Sequence, residues 1–326
     1  MDLDCGGYFN QHLPEAVDRG EIPLASIRRA ARRLLLVQMR LGMFDQDSKQ
    51  PFRKLGLDDI DTSAHRAIAE SAAIQGIVLL QNSNQTLPLP RVKTGGWLKS
   101  LAVIGPNANA TTTLQSNYAG AAPYLISPLE GIAAHMPPGT VAFAPGCMSV
   151  ASLNRSGFPA AVAAATSADA TVLVVGLDGS QEGEAHDRVS LRLPGLQSDL
   201  LTTVVQAIAG RPLILVVISG GPVDLAAAKA NDGVHAIVSA GYPGQSGGVA
   251  LASVLFGLYS PHGRLTTTWY LGRAIILFGV EFYFAALSES HTFWVRCCVR
   301  LYSGYLWYYV GQVHRGLYAS MPAHGF

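Results

Sequence analysis

Four short runs of aliphatic and β-branched residues constrain this chain more than anything else in it: Leu101–Ile104, Thr171–Val175, Leu213–Ile218 and Ala236–Ser239. Each is followed within two residues by a glycine. Runs this apolar, without polar alternation, suit strands buried on both faces of a parallel sheet. Helical stretches separate them: Pro159–Ala168, a helix opening at Pro194 and continuing over Gly195–Ala209, and one from the Gly247-Gly248 pair to about Phe256. Ile77–Leu80 and Val141–Phe143 read as further, shorter strands. The pattern predicts an α/β fold, a mainly parallel sheet covered by helices on both faces. A hydrophobic content of 49% with 34 glycines and 18 prolines fits that class of chain and not a disordered one.

Around this sandwich, assigned to residues 63–270, lie two other segments. Residues 1–62 include a predicted helix over Leu24–Leu41. Ile27, Ala30, Ala31, Leu34, Leu35 and Leu41 fall on one face, and Arg28, Arg29, Arg32 and Arg33 form a solvated one. Gly42 closes it, residues 44–61 are linker, and a helix over Ser63–Gln75 follows. Residues 271–326 are aromatic-rich, aperiodic and unassigned.

Several function classes drop out. A net charge of +1 gives no electrostatic case for nucleic acid. The longest apolar run, Ala274–Leu287, contains Glu281 and is too short to span a bilayer, so no membrane role is expected. Cys5, Cys147, Cys297 and Cys298 lack metal-ligand spacing, and no metal or cofactor is expected. Met1–Cys5 is acidic and has no apolar signal core. No feature sets an oligomeric state.

Chemistry is expected beyond the strand at Thr171–Val175, because ligands of open α/β sheets sit at the carboxyl ends of strands. There the chain places Asp178, Glu182, Glu184, His186, Asp187 and Arg188 within eleven positions. Glycoside hydrolysis needs one carboxyl to protonate the leaving oxygen and a second as nucleophile or base. A glutamate partly desolvated on such a loop can stay protonated, and Glu182 or Glu184 could do this. The alternative is a solvated charged loop. Arg188 beside Asp187 reads as a loop-fixing ion pair in preference to a substrate clamp. Ser219-Gly220-Gly221 and Gly241–Gly248 read either as phosphate cradles or as turns that let elements pack closely. Gly244-Gln245-Ser246-Gly247-Gly248 formally fits a serine-hydrolase elbow, though Ser246 stands too far from its strand.

Taken in order, the pieces resemble the family 3 glycoside hydrolases, in particular plant β-xylosidases with related arabinofuranosidase activity. They are Asp2–Gly6, Arg40–Asp45, Gly76–Leu80, Val103–Ala108, Asn117–Gly120, Gly176–Asp178, Glu182–Arg188, Leu193–Gly195, Ser219–Pro222, Gly241–Gln245 and Gly263–Leu265 before Trp269-Tyr270. The resemblance covers about Asp2–Tyr270. It implies a TIM-type barrel carrying an aspartate nucleophile, of which residues 1–62 would hold a remnant, and a sandwich carrying the acid/base glutamate. Glu182 is the residue matched to that glutamate, with Glu184, Asp187 and Arg188 in supporting roles. It further implies an oligosaccharide substrate, from xylan or arabinoxylan, cleaved with retention in an extracellular or cell-wall setting. The nucleophile segment matches nothing in this chain, so the chain alone is expected to be nearly inactive. A non-catalytic sugar-binding or interaction module is the alternative. Pro123 and Ser152 stand where the plant members would carry cysteines, which leaves Cys147 without an implied partner.

Overall fold

The structure, a computed structural model, describes residues 2–90 and 96–270. The expectations for the tail, including Cys297 and Cys298, lie outside them. The chain forms two compact units that divide after Ala67.

The first unit holds α1 (Tyr8–Asp18), α2 (Leu24–Arg40) and three 3-10 turns at Asp47–Lys49, Pro51–Lys54 and Leu57–Asp59. Gly42 follows α2 with φ +69°, the left-handed conformation that glycine adopts without a Cβ penalty. The apolar face predicted for α2 is only partly covered. Ile27, Ala30 and Leu34 are half-buried, whereas Leu35 and Leu41 are 44% and 66% exposed. The four arginines are exposed, as a solvated face requires, and Arg33 pairs with Asp2. Among the described residues of this unit there is no strand, so the barrel remnant stands on the resemblance alone.

In the second unit a six-stranded sheet has the order β1-β6-β5-β4-β2-β3. Its strands are β1 (Val78–Asn82), β2 (Leu101–Ile104), β3 (Val141–Ala144), β4 (Ala170–Gly176), β5 (Leu213–Ile218) and β6 (Ala236–Ser239). All pairings are parallel except β1 against β6 at one edge. Every residue of β2, β4, β5 and β6 is buried, which explains their unbroken apolar runs.

Alternate side chains feed two cores. On one face Val103, Val172, Val174, Val216 and Val238 meet Ile74 of α3 (Ser63–Gly76), Ile132 of α4 (Pro128–Ala133) and Leu251 of α8 (Gly247–Leu255). On the other, Ile104, Leu173, Val175, Leu215 and Val217 meet Ala161 of α5 (Phe158–Ser167), Leu200 of α6 (Gln197–Ala207) and Ala228 of α7 (Ala226–Lys229). Burying a valine, leucine or isoleucine stabilises by about 1.5–3 kcal/mol relative to exposure, so the strand ends hang on a stiff frame.

One helix start differs from expectation. Pro194 does not open α6, because Gly195 follows at φ +58° and helical geometry begins at Gln197. The fully buried Gln197 side chain then stitches the end of β4: Oε1 accepts from Gly176 N at 2.8 Å, and Nε2 donates to the carbonyls of Gly176 and Val150. Cys147 is a free, fully buried thiol, and burial pushes its pKa up. Among the described residues no helix is long and apolar enough to cross a membrane.

Candidate active site

The order of the strands fixes where a site can form. The chain leaves β2 for β3 on one side, then returns to β4 on the other, which makes the β2/β4 boundary a topological switch point. Crevices at such points, beyond the carboxyl ends of the strands, are where open α/β sheets bind ligands. The charged loop leaves β4 there. Gly176 can end β4 only as glycine: its φ is +143°, and an added Cβ would lie 1.9 Å from the carbonyl oxygen of Ile218.

Beyond Leu177 the loop is stitched to itself. Asp178 Oδ1 accepts from Ser180 N at 2.9 Å and Ser180 Oγ at 2.6 Å, and Asp178 O accepts from the amides of Gln181 and Glu182. Gly183 and His186 exchange backbone hydrogen bonds at 3.2 and 3.1 Å. Glu184 and Ala185 are therefore the tip of a tight hairpin, with Ala185 at φ +64°. The His186 ring lies against the carbonyl of Gly179, Nδ1 at 3.0 Å.

Glu182, just before the hairpin, folds back onto the sheet. Its Oε1 accepts from Gly220 N at 2.5 Å and from the Tyr242 hydroxyl at 2.8 Å. Oε2 accepts from Gly221 N at 3.3 Å and pairs with Arg188 Nη2 at 3.1 Å. The two side chains are 17% and 14% exposed. Every close polar neighbour is a donor, and both oxygens are occupied. One carboxylate thus ties together the ends of β4, β5 and β6. The Tyr242 phenol, half-buried and facing that carboxylate, has its pKa pushed far up, first by burial and then by the hydrogen bond to Glu182.

One expectation changes here. Arg188 does not pair with Asp187, which is exposed; its partner is Glu182, and Nη2 also donates to Pro222 O at 3.1 Å. Adjacent residues on this outgoing strand of the loop face apart, and Glu182 alone is within reach. Glu182, the residue matched to the donor, has both carboxylate oxygens engaged by donors of its own protein. Glu184 presents the opposite picture. It is exposed, and its carboxylate, as an acceptor near the Tyr118 phenol, is the chief cause of that phenol's raised pKa. Tyr118 belongs to the loop that follows β2, and the neighbouring Asn117 side chain lies 3.7 Å from where a Cβ on Gly183 would stand. The hairpin tip therefore meets the β2 loop at the switch point.

The glycine-rich loops resolve as well. Ser219-Gly220-Gly221 is an anion cradle whose anion is the protein's own Glu182. A Cβ on Gly221 would stand 2.7 Å from Arg188 Nη2, and one on Gly220 3.0 Å from the Tyr242 ring. Gly248 serves close packing, since a Cβ there would meet Ser127 O at 2.0 Å. Ser246 is 3% exposed with its hydroxyl 2.8 Å from that of Tyr124, so it is no exposed nucleophile. Tyr242 and Tyr118 were missed as site residues. The available signal for Tyr242 was its position just past the end of β6; Tyr118, well down the loop after β2, carried none. Among the described residues no group of histidine, cysteine and carboxylate side chains could hold a metal ion.

Comparison with known proteins identifies the family. Residues 77–291 match the model described as the glycosyl hydrolase family 3 C-terminal domain, a match that runs past Tyr270. β-D-xylosidase 1 of Arabidopsis thaliana is 48% identical over 271 residues, 83% of this chain and 34% of that protein. β-xylosidase/α-L-arabinofuranosidase 1 of Medicago sativa subsp. varia is 47% identical over the same shares. This chain spans about a third of the length of these relatives. Among solved structures, a GH3 exo-β-xylosidase (XlnD) in complex with a xylobiose aziridine activity-based probe superposes with a TM-score of 0.75 at 40% identity, covering 84% of this chain and 34% of that one. A β-glucosidase from Listeria innocua in complex with isofagomine shares the fold, with a TM-score of 0.69 at 24% identity over 81% of this chain and 35% of that one. The mainly parallel sandwich, the loop beyond β4 and these matches lead to one conclusion: this chain belongs to glycosyl hydrolase family 3 and contains its C-terminal domain.

Proposed function

We propose that this chain supplies the proton-donor half of a retaining β-xylosidase acting on xylo-oligosaccharide or arabinoxylan-derived substrates, and that Glu184 is the acid/base residue. One observation carries the choice. Glu184 is the exposed carboxylate at a hairpin tip over the switch point, while Glu182, two residues away, has both oxygens engaged. A donor must reach the glycosidic oxygen, protonate it, and then take a proton from water as the glycosyl intermediate hydrolyses. An exposed carboxylate at a loop tip has the access to do both. The substrate class is supported by the relatives, whose names are those of β-xylosidases, one with α-L-arabinofuranosidase activity as well. Retention and a separate nucleophilic aspartate follow from the resemblance. These 326 residues alone should therefore turn over an aryl xyloside barely at all.

The test places residues 2–270 in exchange for the matching third of the Arabidopsis β-D-xylosidase. Glu184→Gln should lower kcat on xylobiose by about 10²- to 10⁴-fold. It should retain most activity on a dinitrophenyl xyloside, whose leaving group needs no proton, in the glycosylation step, and azide should relieve slow deglycosylation. Full xylobiose hydrolysis by Glu184→Gln would remove Glu184 from the role.

A further inference from the structure

We propose that Tyr242 and Arg188 are positioning residues, acting through Glu182 to hold the hairpin that carries Glu184; the proposal rests on the donor reading given above. The hairpin is short: two backbone bonds between Gly183 and His186 close it. Its incoming leg begins at Glu182 and its outgoing leg reaches Arg188. Those two side chains are joined at 3.1 Å, so both legs are fastened to each other. Glu182 is then fastened to the β5 end by the Gly220 and Gly221 amides and to the β6 end by Tyr242. Arg188 is fastened to the β5 end a second time, through Pro222 O. The charged groups serve as a clamp, and the tip extends from it.

A clamp of this kind matters because proton transfer tolerates little misplacement. Donors work when held within about 0.5 Å of a productive position. Tyr242 is the informative member. Its ring stands over Gly220, so Tyr242→Phe keeps the packing and removes a single hydroxyl. Glu182 Oε1 then retains only amide donors, and the incoming leg loses its tie to β6. No reacting atom is touched, which makes these residues positioning groups and not catalytic ones.

Two measurements test the proposal. In the 326-residue chain, amide exchange by NMR should speed up at Gly183 and His186 by on the order of tenfold in Tyr242→Phe, and further in Arg188→Lys, with the β4 core amides unchanged. In the exchanged enzyme, Tyr242→Phe should lower kcat on xylobiose by on the order of tenfold at constant KM and leave glycosylation by dinitrophenyl xyloside unaffected. A defect of folding alone would lower both substrates equally. Wild-type exchange rates at Gly183 and His186 in both variants would overturn the clamp. So would unaltered xylobiose kcat in Tyr242→Phe when Glu184→Gln is impaired. An active Glu184→Gln would instead overturn the donor reading, with the exchange data still judging the clamp.

Discussion

Glu182→Gln separates anchoring from chemistry, and its cost can be worked from the distances. The isosteric amide has one oxygen and one NH₂ to place. With the oxygen at the Oε1 position it keeps Gly220 N and the Tyr242 hydroxyl. The NH₂ then faces Arg188 Nη2 at 3.1 Å and Gly221 N at 3.3 Å, donor against donor. The reverse placement sets NH₂ 2.5 Å from Gly220 N and is worse. The better arrangement loses one charge-assisted hydrogen bond, about 1.5–3 kcal/mol. It also leaves Arg188, 14% exposed, without its counter-ion, although Pro222 O still accepts from it. Breaking a fully buried pair costs about 3–5 kcal/mol; partial exposure and the remaining acceptor bring the expectation to about 2–3 kcal/mol. Urea unfolding of the chain should show this as a lower midpoint at constant m. Glu184→Gln, at an exposed tip, should stay within about 0.5 kcal/mol of the parent. Equal stabilities for the two variants, or a Glu182→Gln loss below about 0.5 kcal/mol, would refute the anchor.

Three further outcomes follow from the same geometry. Gly176→Ala puts a Cβ 1.9 Å from Ile218 O at a φ of +143°, and should cost about 3 kcal/mol or more, read as a lost or sharply lowered thermal transition. The Tyr118 phenol should titrate above the ordinary value of about 10 in absorbance at alkaline pH, and return toward it in Glu184→Gln, because the Glu184 carboxylate is the largest cause of its rise. Tyr242 stabilises as the neutral phenol; its folded pKa lies above the unfolded one, so this contribution is complete below about pH 10 and is lost as pH climbs through the folded value. The alkaline fall in urea midpoint should accordingly be shallower in Tyr242→Phe.

What the amino-acid sequence disclosed depended on how local the determining physics was. β2, β5 and β6 begin and end at the expected residues, because a β-branched run buried on both faces has few other conformations open to it. α4 went unnoticed though its start carries a full capping box: Ser127 Oγ accepts from Glu130 N at 3.2 Å, and Glu130 Oε2 from Ser127 N at 2.8 Å. Six residues are too few for a helical period to register. The displaced start of α6 has a different cause. Gly195 packs against the backbone of Ala151 and Ser152, a contact between distant segments that outweighs the preference of Pro194 for a first helical turn.

The two glutamates show where such inference stops and why. Glu182 and Glu184 are alike in type and two positions apart, so composition and spacing treat them as equals. They differ because the turn of the hairpin falls at Glu184-Ala185, which sends one carboxylate outward and leaves the other at the base. At the base it meets two amides from β5, a phenol from β6 and a guanidinium from its own loop, groups spread over some sixty residues of chain. Gly220 and Gly221 are glycines because that carboxylate and its partners occupy the space of their side chains. At Ser219-Gly220-Gly221 the sequence favoured a close-packing turn over a phosphate cradle; that the loop cradles an anion, and that the anion is Glu182, follows only from the parallel order β4-β5-β6, which sets three strand ends side by side. The sheet thus sets neighbouring identical residues in opposite surroundings: one holds the loop down, and the other stands exposed at its tip.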